Sequence, residues 1–124
     1  MTVPGWMNAT IGDFGRASGL DGLSLNGRGA AALQFETGVT LRLEYTGAEL
    51  VMSMAVPAVS ELKRLLAISH PKARYGFRIR SRVLSRTQEG VLAIRLAERG
   101  VTLPQLNAAF GVLWRLVGEI GGTR

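Results

Sequence analysis

Val3, Met7, Ile11 and Phe14 recur at steps of four, four and three, the spacing that lines up side chains on one face of an α-helix, with Trp6 beside the stripe. Gly12, Gly15 and Gly19 lower the intrinsic propensity of this first helix, so it depends on tertiary contacts. From Gly19 to Gly29 the pairs Asp21-Gly22 and Asn26-Gly27 predict turns, which Leu20, Leu23 and Leu25 anchor to a core.

The period then drops to two. Ala31, Leu33 and Phe35 alternate with Ala32, Gln34 and Glu36; after the turn Thr37-Gly38, Val39, Leu41, Leu43 and Tyr45 alternate with Thr40, Arg42 and Glu44. Clean alternation predicts a sheet with one face buried and the other wet. Past Thr46-Gly47, Leu50, Met52, Met54 and Val56 form the inner row of a third strand, and its outer row, Val51, Ser53 and Ala55, is small and weakly polar. Connections this short make an antiparallel meander, because parallel strands need a crossover of roughly a dozen residues.

Pro57 ends the third strand. Ser60 is placed to cap a short helix carrying Leu62, Leu65, Leu66 and Ile68, stopped by Pro71. A helix of that length needs packing on both sides, from its own sheet or from a second copy of the chain. A fourth strand follows, with Phe77, Ile79, Ser81 and Val83 on one face and Arg78, Arg80, Arg82 and Leu84 on the other. Gln88-Glu89-Gly90 predicts the turn into a fifth, where Leu92, Ile94 and Leu96 alternate with Val91, Ala93, Arg95 and Ala97. Thr102 and Gln105 then form a capping box for a terminal helix with Leu103, Leu106, Phe110, Leu113, Val117 and Ile120 on one face. The expected fold is a single two-layer α+β domain over residues 1–124, in the order α-β-β-β-α-β-β-α, with a twisted antiparallel sheet.

Composition narrows what this domain does. With 47% apolar and 19% charged residues the chain is expected to fold around a real core. It has no cysteine, which removes disulfides, thiolate catalysis and iron–sulfur ligation and fits a reducing compartment. The N-terminus lacks the basic region and apolar stretch of a secretory signal, and no apolar run approaches the roughly 20 residues of a membrane span, so a cytoplasmic location without membrane insertion is expected. The net charge of +6 is concentrated: between Lys63 and Arg86 stand eight cationic side chains and no acidic one.

The motifs that suggest chemistry do not survive their context. Gly27-Arg28-Gly29-Ala30-Ala31-Ala32 has dinucleotide-loop spacing but precedes a strand, where the pyrophosphate would meet no helix N-terminus. Ser60-Glu61-Leu62-Lys63 has the Ser-x-x-Lys spacing of acylating enzymes, without their companion motifs, and reads as a helix cap. His70 is the single histidine and stands at a helix end, where it suits the last carbonyls; the acidic residues are scattered singly, without calcium-loop spacing. No enzyme, cofactor or metal is expected. Arg78, Arg80 and Arg82 form the best polar constellation, about 7 Å apart along one sheet face. On a solvated strand such charges discourage edge-to-edge aggregation; as a binding surface they suit phosphates or the carboxylates of an acidic partner.

From Trp6 to Ile120 the chain resembles the class I type III secretion chaperones, the family that includes the Tir chaperone CesT. The resemblance is carried by the amphipathic first helix, Leu25-Asn26-Gly27 leading into Ala31-Ala32-Leu33-Gln34-Phe35, Val39-Thr40-Leu41-Arg42-Leu43-Glu44-Tyr45, and Glu49-Leu50-Val51-Met52-Ser53-Met54. It continues through Leu62-Lys63-Arg64-Leu65-Leu66-Ala67, Glu89-Gly90-Val91-Leu92-Ala93-Ile94-Arg95-Leu96, and a closing helix with Phe110 and Trp114. It implies a non-catalytic cytoplasmic bacterial homodimer that wraps the non-globular chaperone-binding segment of a secreted effector and keeps it competent for secretion. By the same resemblance the dimer interface comprises Leu62, Leu65, Leu66, Ile68, Phe77 and Ile79. The residues expected to contact effector are Trp6, Met7, Val51, Ser53 and Trp114. Such chaperones are usually acidic, whereas this chain has a pI near 11.1, which points to an acidic cargo or to an acidic second subunit in a heterodimer.

The alternative reading is a small basic nucleic-acid-binding or regulatory module using the Arg78, Arg80 and Arg82 face, although no aromatics suited to base stacking are interleaved with those arginines. A salt titration separates the two. Three neutralised phosphates predict binding to DNA or RNA that falls roughly 40-fold between about 50 and 200 mM salt and is lost when the three arginines become Ser; a chaperone shows no such shift in an electrophoretic assay.

Overall fold

The structure is a computed structural model and describes residues 2–57, 76–84 and 89–120. Helix α1 (Gly5–Ala17) is followed by strands β1 (Ala30–Gln34), β2 (Thr40–Tyr45), β3 (Glu49–Val56), β4 (Ile79–Leu84) and β5 (Glu89–Ala97), a short 3-10 turn (Glu98–Gly100) and helix α2 (Leu103–Ile120). The strands form one five-stranded sheet in the order β1-β2-β3-β5-β4, with every pairing antiparallel. The short helix expected between β3 and β4, with Leu62, Leu65, Leu66 and Ile68, lies outside the described residues.

The inner rows follow the alternation read from the sequence. Leu41, Leu43 and Tyr45 of β2, Leu50, Met52, Met54 and Val56 of β3, and Leu92, Ile94 and Leu96 of β5 are buried. They join Met7, Ile11 and Phe14 of α1 and Leu106, Ala109, Leu113, Leu116 and Val117 of α2 in one cluster. Both helices therefore cover the same face of the sheet. Burying a side chain of this size contributes about 1.5–3 kcal/mol relative to leaving it in water. Among the described residues the buried side chains are apolar apart from the Tyr45 hydroxyl, which is hydrogen-bonded to Glu98, so little desolvation penalty is set against that gain.

Local chemistry explains the joints. At the start of α2 the Gln105 N–H donates to Thr102 Oγ1 at 3.3 Å, the Ncap half of the expected capping box. Between β2 and β3, Thr46 Oγ1 accepts from the Glu49 N–H at 3.0 Å, and Gly47 takes φ 98°, which a side chain would resist. Asn8 Oδ1 accepts from the Leu25 N–H at 2.9 Å, so one polar residue of α1 pins the long loop that follows the helix.

Two expectations change. Glu89 and Gly90 are not in the turn but open β5, opposite Leu84 and Val83; continuing the ladder pairs backbone groups that a turn would leave to water. Phe77 and Arg78 precede the fourth strand, which begins at Ile79.

Gly15 gives α1 a measurable signature. A Cβ there would lie 2.5 Å from the Leu20 carbonyl oxygen and 2.9 Å from Leu23 Cβ, and the carbonyl is backbone that cannot swing away. Gly15→Ala is expected to destabilise the fold by about 1–2 kcal/mol, the overpacking cost exceeding the gain in helix propensity. Gly12→Ala, whose Cβ would meet only the Arg16 guanidinium at 3.7 Å, is expected to stabilise it by up to about 1 kcal/mol. Urea denaturation midpoints of the two variants check both signs.

Candidate functional site

Residues 110 and 114 stand four apart on α2, so their side chains meet on one side of the helix. Trp114 stacks on Phe110 at a centroid distance of 6.0 Å and meets Phe35, just past the end of β1, edge-on at 5.1 Å. Phe110 in turn packs edge-on against Phe14 of α1 at 5.6 Å. This row runs from the core to the surface, where Trp114 remains 43% exposed. Its orientation is set by aromatic neighbours below, while its outer surface is left to water.

Trp6, 46% exposed, occupies a different place. It lines a shallow shelf with Ala48, Ala97, Glu98 and Arg99, at the end of the sheet where β2 turns into β3. Trp114, over Phe35, lies at the other end, beside the β1–β2 turn. The wall of the shelf is fixed by Tyr45, whose hydroxyl donates to Glu98 Oε1 at 2.5 Å. That bond, followed by burial and the carboxylate's charge, holds the Tyr45 hydroxyl above the ordinary tyrosine pKa. Met7, expected beside Trp6 at the contact face, is fully buried; it belongs to the core because its position on the α1 stripe points it at the sheet.

The outer face of the sheet carries the remaining candidates. Val51 and Ser53 of β3 are half-buried and lie side by side with Val91 and Ala93 of β5 in a concavity of about 600 Å³ that also includes Glu44, Arg80, Arg82 and Arg95. The register explains the grouping. Arg42 lies opposite Ser53, Ser53 opposite Ala93 and Ala93 opposite Arg80, while Arg82 lies opposite Val91. Arg80 and Arg82 are exposed, and Arg78 is exposed just before the strand. Arg95 is held by Glu49 at 2.9 Å.

The five residues expected to touch cargo therefore do not form one pocket. Trp6 and Trp114 belong to the helical layer, at opposite ends of the sheet, and Val51 and Ser53 to the opposite face. Of the expected dimer residues, Phe77 is half-buried and Ile79 is 3% exposed, inside the protomer's own core. In the sequence the aromatic supports Phe35 and Phe110 and the floor residues Val91 and Ala93 read as ordinary strand or helix patterning; the packing of α2 brings Phe35 and Phe110 to Trp114, and cross-strand register sets Val91 and Ala93 beside β3 and β4. Among the described residues no group of three or more acidic or histidine side chains is placed to hold a metal ion, and no helix is long and apolar enough to cross a membrane.

Comparison with known proteins gives this geometry its context. The family model described as Type III secretory system chaperone SycN matches residues 6–121. No individually curated protein matches the sequence. Among solved structures, the chain is similar to the Yersinia pestis type III secretion chaperone SycH in complex with a stable fragment of YscM2, at 19% identity over 92% of this chain and 98% of that one, with a TM-score of 0.70. It is similar to a chain of the ExsC–ExsE complex at 20% identity over 94% and 92%, TM-score 0.76. It is also similar to a chain of the HopA1–SchA chaperone–effector complex at 14% identity over 90% and 90%, TM-score 0.71. At these identities the likeness is one of fold.

The shelf under Trp6 carries a pH signature. Because the Tyr45 pKa is higher in the folded chain than in the unfolded one, its contribution to stability is fully present below pH about 10 and is lost as pH rises through the folded value. Tyr45→Phe is expected to lower the melting temperature at neutral pH, and the gap to the wild type should shrink above pH about 10. Thermal melts across that range check it.

Proposed function

The chain belongs to the type III secretion chaperone family represented by SycN, and from that premise we propose that it holds the non-globular segment of a secreted effector in a form the secretion system can accept. A chaperone of this kind is a binding protein and not an enzyme. The observation that carries the reading is the dispersal of the exposed surfaces: two half-exposed tryptophans at opposite ends of the helical layer and a shallow concavity on the far face of the sheet. No compact ligand reaches all three, whereas an extended polypeptide can run from one to the next, setting apolar side chains against each. SycH is a type III secretion chaperone in complex with a stable fragment of YscM2, and we carry that role to this chain as part of the proposal.

The proposed chaperone works in the bacterial cytoplasm as a dimer. β4 is an edge strand, and an edge strand offers backbone groups to a partner unless something covers it. The proposed interface is this edge together with Phe77 and the apolar residues of the segment before it, Leu62, Leu65, Leu66 and Ile68. Ile79 backs the interface from inside its own core. Trp6, Trp114, Val51 and Ser53 remain the proposed effector contacts.

Co-expression with the product of the neighbouring gene, followed by limited proteolysis, tests the proposal. The expected outcome is a stable complex that protects a short, non-globular stretch of the partner. Replacing Trp114 with Ala should weaken that complex by about 10- to 150-fold, the equivalent of removing a buried large apolar side chain. Leu65→Glu should convert dimer to monomer in sedimentation. Recovery of a fully folded globular partner, or a complex indifferent to both substitutions, would count against the reading.

A further inference from the structure

We infer that the outer concavity of the sheet is a seat for an acidic, extended polypeptide segment, with carboxylates two residues apart facing Arg80 and Arg82; this rests on the chaperone reading above and names the chemistry of the cargo at one of its surfaces.

The floor is built from small side chains. Ser53 and Ala93 face each other across β3 and β5, so a second polypeptide can approach closely without large residues holding it off. Arginines stand on both flanks of this floor: Arg42 opposite Ser53 on one side and Arg80 opposite Ala93 on the other. Three interstrand spacings separate those flanks by roughly 14 Å, wide enough for one extended chain. Along β4 the guanidinium groups of Arg80 and Arg82 repeat at about 7 Å, the distance at which an extended chain repeats its same-side residues. Neither guanidinium makes an ion pair or hydrogen bond among the described residues, so their charge is available to a partner, and a carboxylate can accept from a guanidinium in bidentate fashion.

The distribution of charge favours a polypeptide over a nucleic acid. Glu44 lines the same concavity beside Val51, and Arg95, opposite Val51, is already paired with Glu49. Among the residues that line the concavity, free positive charge is thus carried by Arg80 and Arg82, on the flank opposite Glu44. A nucleic-acid backbone, uniformly charged, would set a phosphate against Glu44, whereas a polypeptide can be acidic at one end and neutral at the other. Among the described residues no aromatic side chain lines the concavity, so bases would find nothing there to stack on.

Fluorescence anisotropy on the full chain tests the inference with a labelled dodecapeptide that alternates Glu and Ala over one half and Ser and Ala over the other, its counterparts with Gln or Lys in place of Glu, and an oligodeoxythymidine of the same length. The acidic peptide should bind about tenfold tighter than the Gln peptide at low salt, and Arg80→Ser with Arg82→Ser should remove most of that difference. Arg16→Ser with Arg28→Ser, equal in charge and away from the concavity, should leave it within about twofold. Arg80→Glu with Arg82→Glu should reverse the preference toward the Lys peptide, a gain that a merely misfolded variant would not show. Equal binding of the Glu and Gln peptides, equal losses in the two Ser variants, or tighter binding of the oligonucleotide that is lost with Arg80 and Arg82 would each overturn the inference. Capture of the neighbouring gene product without any acidic preference sinks this inference alone; acidic preference without such capture sinks the chaperone reading instead.

Discussion

Burial of the period-two apolar rows against two helices is the interaction from which the rest of this structure follows. Leu41 and Leu43, Met52 and Met54, and Leu92 and Ile94 each point into one contiguous core. Since strand residues alternate strictly, the same burial commits Arg42, Val51, Ser53, Val91, Ala93, Arg80 and Arg82 to the other side. A slip of one residue in β2 or β5 would bury arginine and expose leucine, so the register is held by an energy far larger than any single surface contact.

That constraint explains how a small domain leaves extensive surface open to a partner. Helices α1 and α2 cover one face of the sheet, and their own outer sides carry aromatic residues that the core supports without enclosing. Trp114 rests on Phe110 and Phe35, and Trp6 lines a shallow shelf with Ala48 and Glu98. Such side chains are already oriented, so a partner that covers them gains burial without first ordering them. A disordered segment is suited to exploit this: it meets scattered anchors in sequence and recovers its ordering cost from their sum.

Charge adds selectivity to this apolar framework. A chain with a net charge of +6 attracts many polyanions, but only fixed positions discriminate among them. On the outer face the paired Arg95 and Glu49 and the nearby Glu44 offset one end of the concavity, while Arg80 and Arg82 leave the other positive. Position along the groove, as well as total charge, therefore decides what fits.

Much of the fold was legible in the residues themselves. The stripe Met7, Ile11, Phe14 and the rows Leu41–Leu43 and Leu92–Ile94–Leu96 declared their buried faces, because helix and strand periods are local properties of the chain. The same stripe already placed Met7 in the core, and its assignment to cargo came from the family resemblance instead. What tertiary structure alone decided was adjacency. β5 enters between β3 and β4, setting Ala93 between Ser53 and Arg80, and α2 lies so that Trp114 closes over Phe35. Periodicity says which way a side chain points; which distant strand or helix lies alongside is chosen by the packing of the whole core, and local patterning carries no record of it.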